Sequence, residues 1–290
     1  MDKIVGMIGL GIMGSAIARN LAERGWTVLG FDTDGTRNAD LAKDGIVIAR
    51  GAAEIAARAP IILTSLPSPY AAKAVAEEIS SSQTPARIVC ELSTLTLEDK
   101  QEFHHILTKG GHKALDCPLS GTGAQAIERD LVIYASGDAA AVKTCLPVFA
   151  DFGRKTAELG SYGNGTKMKY IANHLVAINN VASAEAMWLA SKAGLDLEQV
   201  FDVVSAGAGN SRVFELRAPM MVEENYKPAT MKVAIWKKDM AIIGAFAESL
   251  GAPTPIFDLT QGVYTDAMRM GLADDDTASV YEVLKTYKRP

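Results

Sequence analysis

The first thirty-two residues constrain the fold of this chain more than any other stretch. A short apolar run, Lys3 to Ile8, leads into GLGIMG, Gly9 to Gly14, which opens a helical pattern that runs to Glu23 and closes at Gly25. A second apolar run, TVLGFD, follows at once and ends in Asp32. The three glycines of such a loop have separate uses: Gly9 takes a tight turn, Gly11 lets a phosphate approach the backbone, and Gly14 lets helix and strand pack closely. The helix start then offers N–H groups with no partner in their own helix, which suits an anionic ligand. This order of strand, loop, helix, strand and acid predicts a dinucleotide site made by Gly9, Leu10, Gly11, Ile12, Met13 and Gly14. Asp32, eighteen residues beyond Gly14, is placed to accept hydrogen bonds from both adenosine ribose hydroxyls and to repel a 2′-phosphate, so NAD is expected over NADP. Arg37 keeps NADP open, because a nearby guanidinium pairs well with a phosphate.

Up to about residue 160 the same alternation continues. Apolar runs at Ile61 to Ser65, Ile88 to Leu92, His112 to Asp116 and Leu131 to Ala135 are separated by helical patterns, which predicts an α/β Rossmann-type, doubly wound parallel sheet. After FGRKTAELGSYGNG the strand signals stop, and a helical pattern runs from Thr166 to Ala193 without proline or glycine until Gly194. At 1.5 Å per residue that helix is roughly 40 Å long, more than a small domain needs. It reads as a spine joining a dinucleotide-binding domain, 1–161, to an all-helical domain for substrate and oligomerisation, 162–290. Further helices are expected at Leu197 to Ala206, Arg212 to Met221, Met231 to Leu250, Ile256 to Met270 and Thr277 to Tyr287.

Composition excludes several classes. A net charge of −5 leaves no electrostatic footprint for nucleic acid. The start of the chain imitates a secretion signal, but Asp2 in its leading region and the glycines of the turn argue against one. The longest later uncharged stretch, Tyr170 to Ala184, is too short to span a bilayer and contains Asn173, His174, Asn179 and Asn180. Cys90, Cys117 and Cys145 form no CxxC pair and are expected as reduced, packed thiols. A cytoplasmic protein without a membrane partner is expected. The spacing of His104, His105 and His112 fits no common metal site, so none is expected. ADDDT, Ala273 to Thr277, reads as a helix cap rather than a cation loop. Met220 and Met221 read as packing, and Arg212 and Arg217 as surface ion pairs rather than contacts to a substrate anion.

SYGNGTKMKYIAN, Ser161 to Asn173, carries two lysines one residue apart. At 3.6 residues per turn Gly165, Lys169 and Asn173 share a face and Lys167 points elsewhere. A lysine beside a nicotinamide ring would serve as general acid or base if burial and the ring's positive charge lowered its pKa.

Four motifs together, GLGIMG, DCPLSG (Asp116 to Gly121), GNGTKMKYIAN and KKDM (Lys237 to Met240), give the chain its resemblance to the β-hydroxyacid dehydrogenase family. That family includes 3-hydroxyisobutyrate dehydrogenases and tartronate semialdehyde reductases and is related to 6-phosphogluconate dehydrogenases. The resemblance implies hydride transfer between nicotinamide and a small β-hydroxyacid. It implies Lys169 as the catalytic lysine, Asn173 fixing the substrate, and Ser120 and Gly121, with Thr122, holding a carboxylate. Leu66 and Pro67, with Ser93 and Thr94, would line the nicotinamide ribose. Lys238 would lie near both cofactor and substrate, with Asp239 structural. The chain departs from the family at Thr122, where a second glycine is usual, and at Arg129 and Asp130, where Gly-Thr is usual, which leaves the particular acid open. Ala172 stands where 6-phosphogluconate dehydrogenases carry a histidine, against that activity. Two other readings stay open: imine reduction on the same fold, and a nucleotide-binding regulatory protein without catalysis. The long apolar spine predicts a homodimer or homotetramer.

Overall fold

The computed structural model describes residues 3–288. The chain divides into two compact units, Met1–Lys169 and Tyr170–Pro290.

The first unit runs β1 (Ile4–Ile8), α1 (Ile12–Glu23), β2 (Thr27–Phe31), α2 (Gly35–Lys43), β3 (Val47–Ile48), α3 (Ala52–Arg58), β4 (Ile61–Thr64), α4 (Pro69–Ser81), β5 (Ile88–Glu91), α5 (Leu97–Lys109) and β6 (Lys113–Asp116). These six strands form one parallel sheet in the order β3-β2-β1-β4-β5-β6. The central strands β1, β4 and β5 are covered on both faces, so they are apolar nearly throughout rather than alternating. One core lies against α1 through Ile17 and Leu21, with Val5, Met7 and Leu63 from the sheet. The other lies against α3, α4 and α5 through Ile55, Ile79, Phe103 and Leu107, with Ile8, Ile62 and Val89. The order reverses direction at β1 and β4, and the loops after those two strands open at the place where this architecture binds its ligand.

After β6 the chain leaves the sheet. β7 (Leu119–Ser120), α6 (Gly123–Ile127), β8 (Val132–Ala135), α7 (Ala139–Phe152) and β9 (Lys155–Glu158) follow, with the strands in a separate three-stranded sheet. β7 pairs antiparallel and β9 parallel with β8. This corrects one expectation: the run at Leu131 to Ala135 is a strand but not a member of the main sheet, whose sixth place belongs to the two-residue β3. Strand-forming residues identify a strand and carry no information about which neighbour it pairs with.

The long helix α8, Asn164–Lys192, is unbroken and crosses the boundary between the units, and among the described residues no helix is long and apolar enough to cross a membrane. In the second unit α9 (Leu197–Ser205), α10 (Arg212–Val222), α11 (Val233–Ser249), α12 (Pro255–Arg269) and α13 (Val280–Thr286) complete the chain. Asn180, buried on α8, holds two of these pieces, donating to the Tyr264 hydroxyl at 2.7 Å and the Thr277 carbonyl at 2.8 Å.

Candidate functional site

The glycine loop is built as its spacing requires. Gly9 sits at φ +88°, the left-handed region that favours glycine, and its N–H donates to the Phe31 carbonyl at 2.9 Å. A Cβ at Gly14 would stand 1.9 Å from the Gly9 carbonyl oxygen, so the close approach of α1 to its loop needs glycine there. Gly11 differs: a Cβ there would meet only the Arg37 guanidinium, at 3.8 Å. The backbone at Gly11 is thus open on the side from which a pyrophosphate would come. No side chain caps α1 and its first turn holds no acid, which leaves the start of the helix to an anion. Ile12 is exposed, Met13 is half-buried, and Leu10 is buried beneath the loop.

Asp32, at the end of β2, is nearly buried. One carboxylate oxygen accepts from Leu10 N–H at 2.7 Å and the other from Asp34 N–H at 2.8 Å, while Arg37 stands 3.3 Å away. Burial works to raise its pKa, but these two N–H groups and the guanidinium outweigh it and hold the carboxyl below its usual range. Asp32 is therefore an anion that fixes the glycine loop. The residues present fit the dinucleotide that the sequence implies.

On the neighbouring strands, Leu66 N–H donates to the Ser93 hydroxyl at 2.7 Å, which ties the loop after β4 to the loop after β5. Pro67 is exposed beside Leu66, and Thr94 is half-buried beside Ser93. The Ser120, Gly121, Thr122 turn is brought against the glycine loop. A Cβ at Gly123 would lie 2.4 Å from the Ile12 side chain, and Asn20 on α1 donates to the Ala126 carbonyl at 2.7 Å. Gly121 has φ +138°. Thr122 N–H is engaged by Gln125 Oε1 at 3.1 Å, and Gln125 in turn donates to the Asp130 carboxylate at 3.0 Å. Thr122 and Asp130 thus brace the turn from within. Arg129 adopts φ +57° at the position where the family usually has glycine, and pairs with Glu23 at the end of α1. That left-handed residue costs on the order of 1 kcal/mol relative to glycine.

α8 carries the two residues singled out for chemistry. Lys167 is exposed, while Lys169 is half-buried and Asn173, one turn further along the same face, is buried. Within the second unit Asn173 Nδ2 donates to Asp239 Oδ2 at 3.4 Å, and Lys238 Nζ lies 3.5 Å from Asp239 Oδ1. The carboxylate only accepts, so it turns the amide NH₂ toward itself and presents the Asn173 carbonyl oxygen away from it. Asp239 therefore orients Asn173. Lys237 is occupied elsewhere, donating to the Thr265 hydroxyl at 2.8 Å.

One expectation needs adjustment. Arg217 is not a surface pair: it is buried, 3.3 Å from the buried Asp276, and donates to the Thr230 hydroxyl. Arg212 is a surface residue that pairs with Glu215 at 2.8 Å. Asp276 does cap the turn at Thr277, accepting from Ala278 N–H, and also takes the N–H groups of Thr230 and Met231. Glu91 is fully buried and paired with Lys100, a residue that the sequence did not single out. A signal was there: Lys100, Phe103 and Leu107 are the three buried positions of α5 and recur at core spacing. The three cysteines are free and buried, with Cys90 and Cys145 sulfurs 3.6 Å apart.

A parallel sheet with its glycine loop at the reversal point, an acid at the end of β2 and a helical second unit define a nicotinamide-dinucleotide oxidoreductase. Residues 4–160 match the NAD binding domain of 6-phosphogluconate dehydrogenase, and residues 163–284 match the NAD-binding domain of NADP-dependent 3-hydroxyisobutyrate dehydrogenase. The chain belongs to the β-hydroxyacid dehydrogenase family of NAD(P)-dependent oxidoreductases. It is 30% identical to an L-threonate dehydrogenase of Escherichia coli, over 99% of this chain and 96% of that protein. It is 28% identical to glyoxylate/succinic semialdehyde reductase 1 of Arabidopsis thaliana, over 97% and 98%. The solved 3-hydroxyisobutyrate dehydrogenase of Mycobacterium tuberculosis with L-serine superposes with a TM-score of 0.89 at 27% identity, covering 99% of this chain and all of that one.

Proposed function

We propose that this protein transfers hydride between NAD and a small β-hydroxyacid, or reduces the matching semialdehyde, with Lys169 as the general acid and base. The observation that carries this reading is that the glycine loop and the Ser120 turn are packed together in one unit, the first open to a dinucleotide and the second braced to receive a carboxylate. Bound nicotinamide supplies the hydride acceptor. Ser120 and Gly121 would hold the substrate carboxylate through hydroxyl and backbone N–H, and the Thr122 hydroxyl would add to them. Lys169 takes the proton of the substrate hydroxyl as the carbon is oxidised and returns it in the reverse direction. Asn173, oriented by Asp239, would align that hydroxyl, and Lys238 would approach the same ligands from α11. Asp32 supports NAD over NADP, since its anion would stand where a 2′-phosphate must lie.

The second unit also supports self-association. A groove of about 920 Å³ is lined by Trp188, Leu189, Ile256, Leu259, Val263 and Tyr287, and Leu189, Ile256 and Leu259 are well exposed. A contiguous apolar surface of this kind suits a second copy of the chain. The test of function is reduced-nicotinamide absorbance with NAD and NADP separately, over 3-hydroxyisobutyrate, L-threonate, glycerate, 3-hydroxypropionate and a cyclic imine. Oxidation of one of the acids with NAD is expected. Turnover of the imine alone, or silence across the panel with cofactor binding intact, would refute it.

A further inference from the structure

Three charged side chains in the first unit, Glu91, Lys100 and Asp116, are fully buried together. Lys100 Nζ, at the start of α5, pairs with Glu91 at the end of β5 and lies 3.0 Å from Asp116 Oδ1 at the end of β6. Burial works to lower the pKa of this lysine, but the two carboxylates outweigh it and hold the ammonium above its usual range. Packed apolar residues of similar volume often serve a fold as well as a buried ion cluster does, so folding alone is a weak reason for this one.

The outer bonds of the cluster show what it holds. Asp116 Oδ2 accepts from Thr166 N–H and Asp116 Oδ1 from the Thr166 hydroxyl, both at 2.7 Å. Ser136 donates to Asp116 and accepts from Gly165 N–H at 2.9 Å. Gly165 and Thr166 are first-turn residues of α8, whose N–H groups have no partner within their own helix. A Cβ at Gly165 would lie 2.3 Å from the Tyr134 carbonyl oxygen, so the helix start is pressed against the strand ends. On the other side, Glu91 Oε1 accepts from Ser93 N–H at 2.9 Å, and the Ser93 hydroxyl holds Leu66 N–H. Tyr162, just before α8, donates to the Lys100 carbonyl at 2.9 Å.

We propose that Glu91, Lys100 and Asp116 are positioning residues: one buried cluster that fixes the first turn of α8, and so Lys169 one turn further on, in register with the loops after β4 and β5. This rests on Lys169 being the general acid and base. Two negative charges and one positive leave a net negative charge at the positive end of the helix dipole, the favourable sign. Lys100 is the cation that both carboxylates share, and it holds Asp116 in place beside the helix start.

Lys100→Met removes the whole charge balance and endangers the fold, so the test is placed on Thr166. Thr166→Val deletes only the hydroxyl bond to Asp116, and Thr166→Ser restores it. Four quantities are read in both variants: kcat, cofactor Kd, the thermal midpoint, and hydrogen exchange of the amides from Gly165 to Tyr170. The expected result for Thr166→Val is faster exchange confined to that turn and a kcat lower by on the order of 10-fold, because a small misplacement of a reacting group has that effect. Cofactor Kd should stay near wild type, the midpoint should fall by a few degrees with the lost buried hydrogen bond, and Thr166→Ser should recover exchange, kcat and midpoint. Unchanged exchange in Thr166→Val overturns the proposal, and so does faster exchange with unchanged kcat. A wild-type enzyme silent on every hydroxyacid counts against the assignment of Lys169 instead, and the exchange data still decide whether the cluster holds the helix start.

Discussion

Replacing Asp32 by asparagine tests the nucleotide end of the molecule at a single atom. The carboxylate accepts at both oxygens, from Leu10 N–H at 2.7 Å and Asp34 N–H at 2.8 Å. An amide has one oxygen, so its NH₂ must face one of those two donors and leave that N–H without a partner. Such a loss costs about 1 to 3 kcal/mol. Arg37 loses one of its two charge partners as well, but its side chain is half exposed and adds little. At about 2 to 4 °C per kcal/mol for a unit of this size, a loss of ~2 kcal/mol lowers the thermal midpoint by roughly 4 to 8 °C. The folded-state pKa of Asp32 lies below its unfolded value, so its stabilisation is complete above the ordinary carboxylate pKa of about 3.9 and is lost as pH falls through the folded value. Thermal unfolding of wild type and Asp32→Asn should therefore differ at neutral pH and converge in strong acid. The ratio of NADP to NAD affinity should rise in the same variant. Equal midpoints at neutral pH would refute the reasoning about the loop, and an unchanged affinity ratio would refute the role of the anion in choosing NAD.

Two further outcomes follow from the second unit. Asp239→Ala removes the acceptor that orients Asn173, and kcat/KM for the acid should fall by on the order of 10-fold, a typical effect of losing substrate alignment. Steady-state kinetics at saturating cofactor check this, and an unchanged kcat/KM contradicts it. Leu259→Glu places a charge in the exposed apolar groove of α8 and α12. Light scattering should find a dimer or tetramer in wild type and a smaller species in the variant; a monomeric wild type contradicts self-association.

Much of this was legible in the sequence, and the exceptions have physical causes. The five strands β1, β2, β4, β5 and β6, and the helices of the second unit, were found to within a few residues, because continuous apolar runs mark strands buried in a sheet and helical periodicity marks helices that bury one face. β3 and β7 escaped because two residues carry no period, and β9 because its four residues, KTAE, are only partly covered. β8 was found as a strand and misplaced in the wrong sheet, since pairing is settled by partners distant in sequence. The glycine loop and Asp32 were legible because their spacing is a backbone requirement. Lys100 and Arg217 were not. Both look like ordinary surface cations by type, and only the fold brings buried carboxylates to them from β5, β6 and the turn at Asp276.

The central claim is that Lys169 moves the proton. It is tested most directly by kcat and cofactor Kd of Lys169→Ala, measured with the acid that wild type oxidises best. The account predicts that kcat falls by about 100-fold or more, within the range of general acid–base contributions, while cofactor Kd stays unchanged because the glycine loop and Asp32 are untouched. Turnover near the wild-type rate in that variant would contradict it.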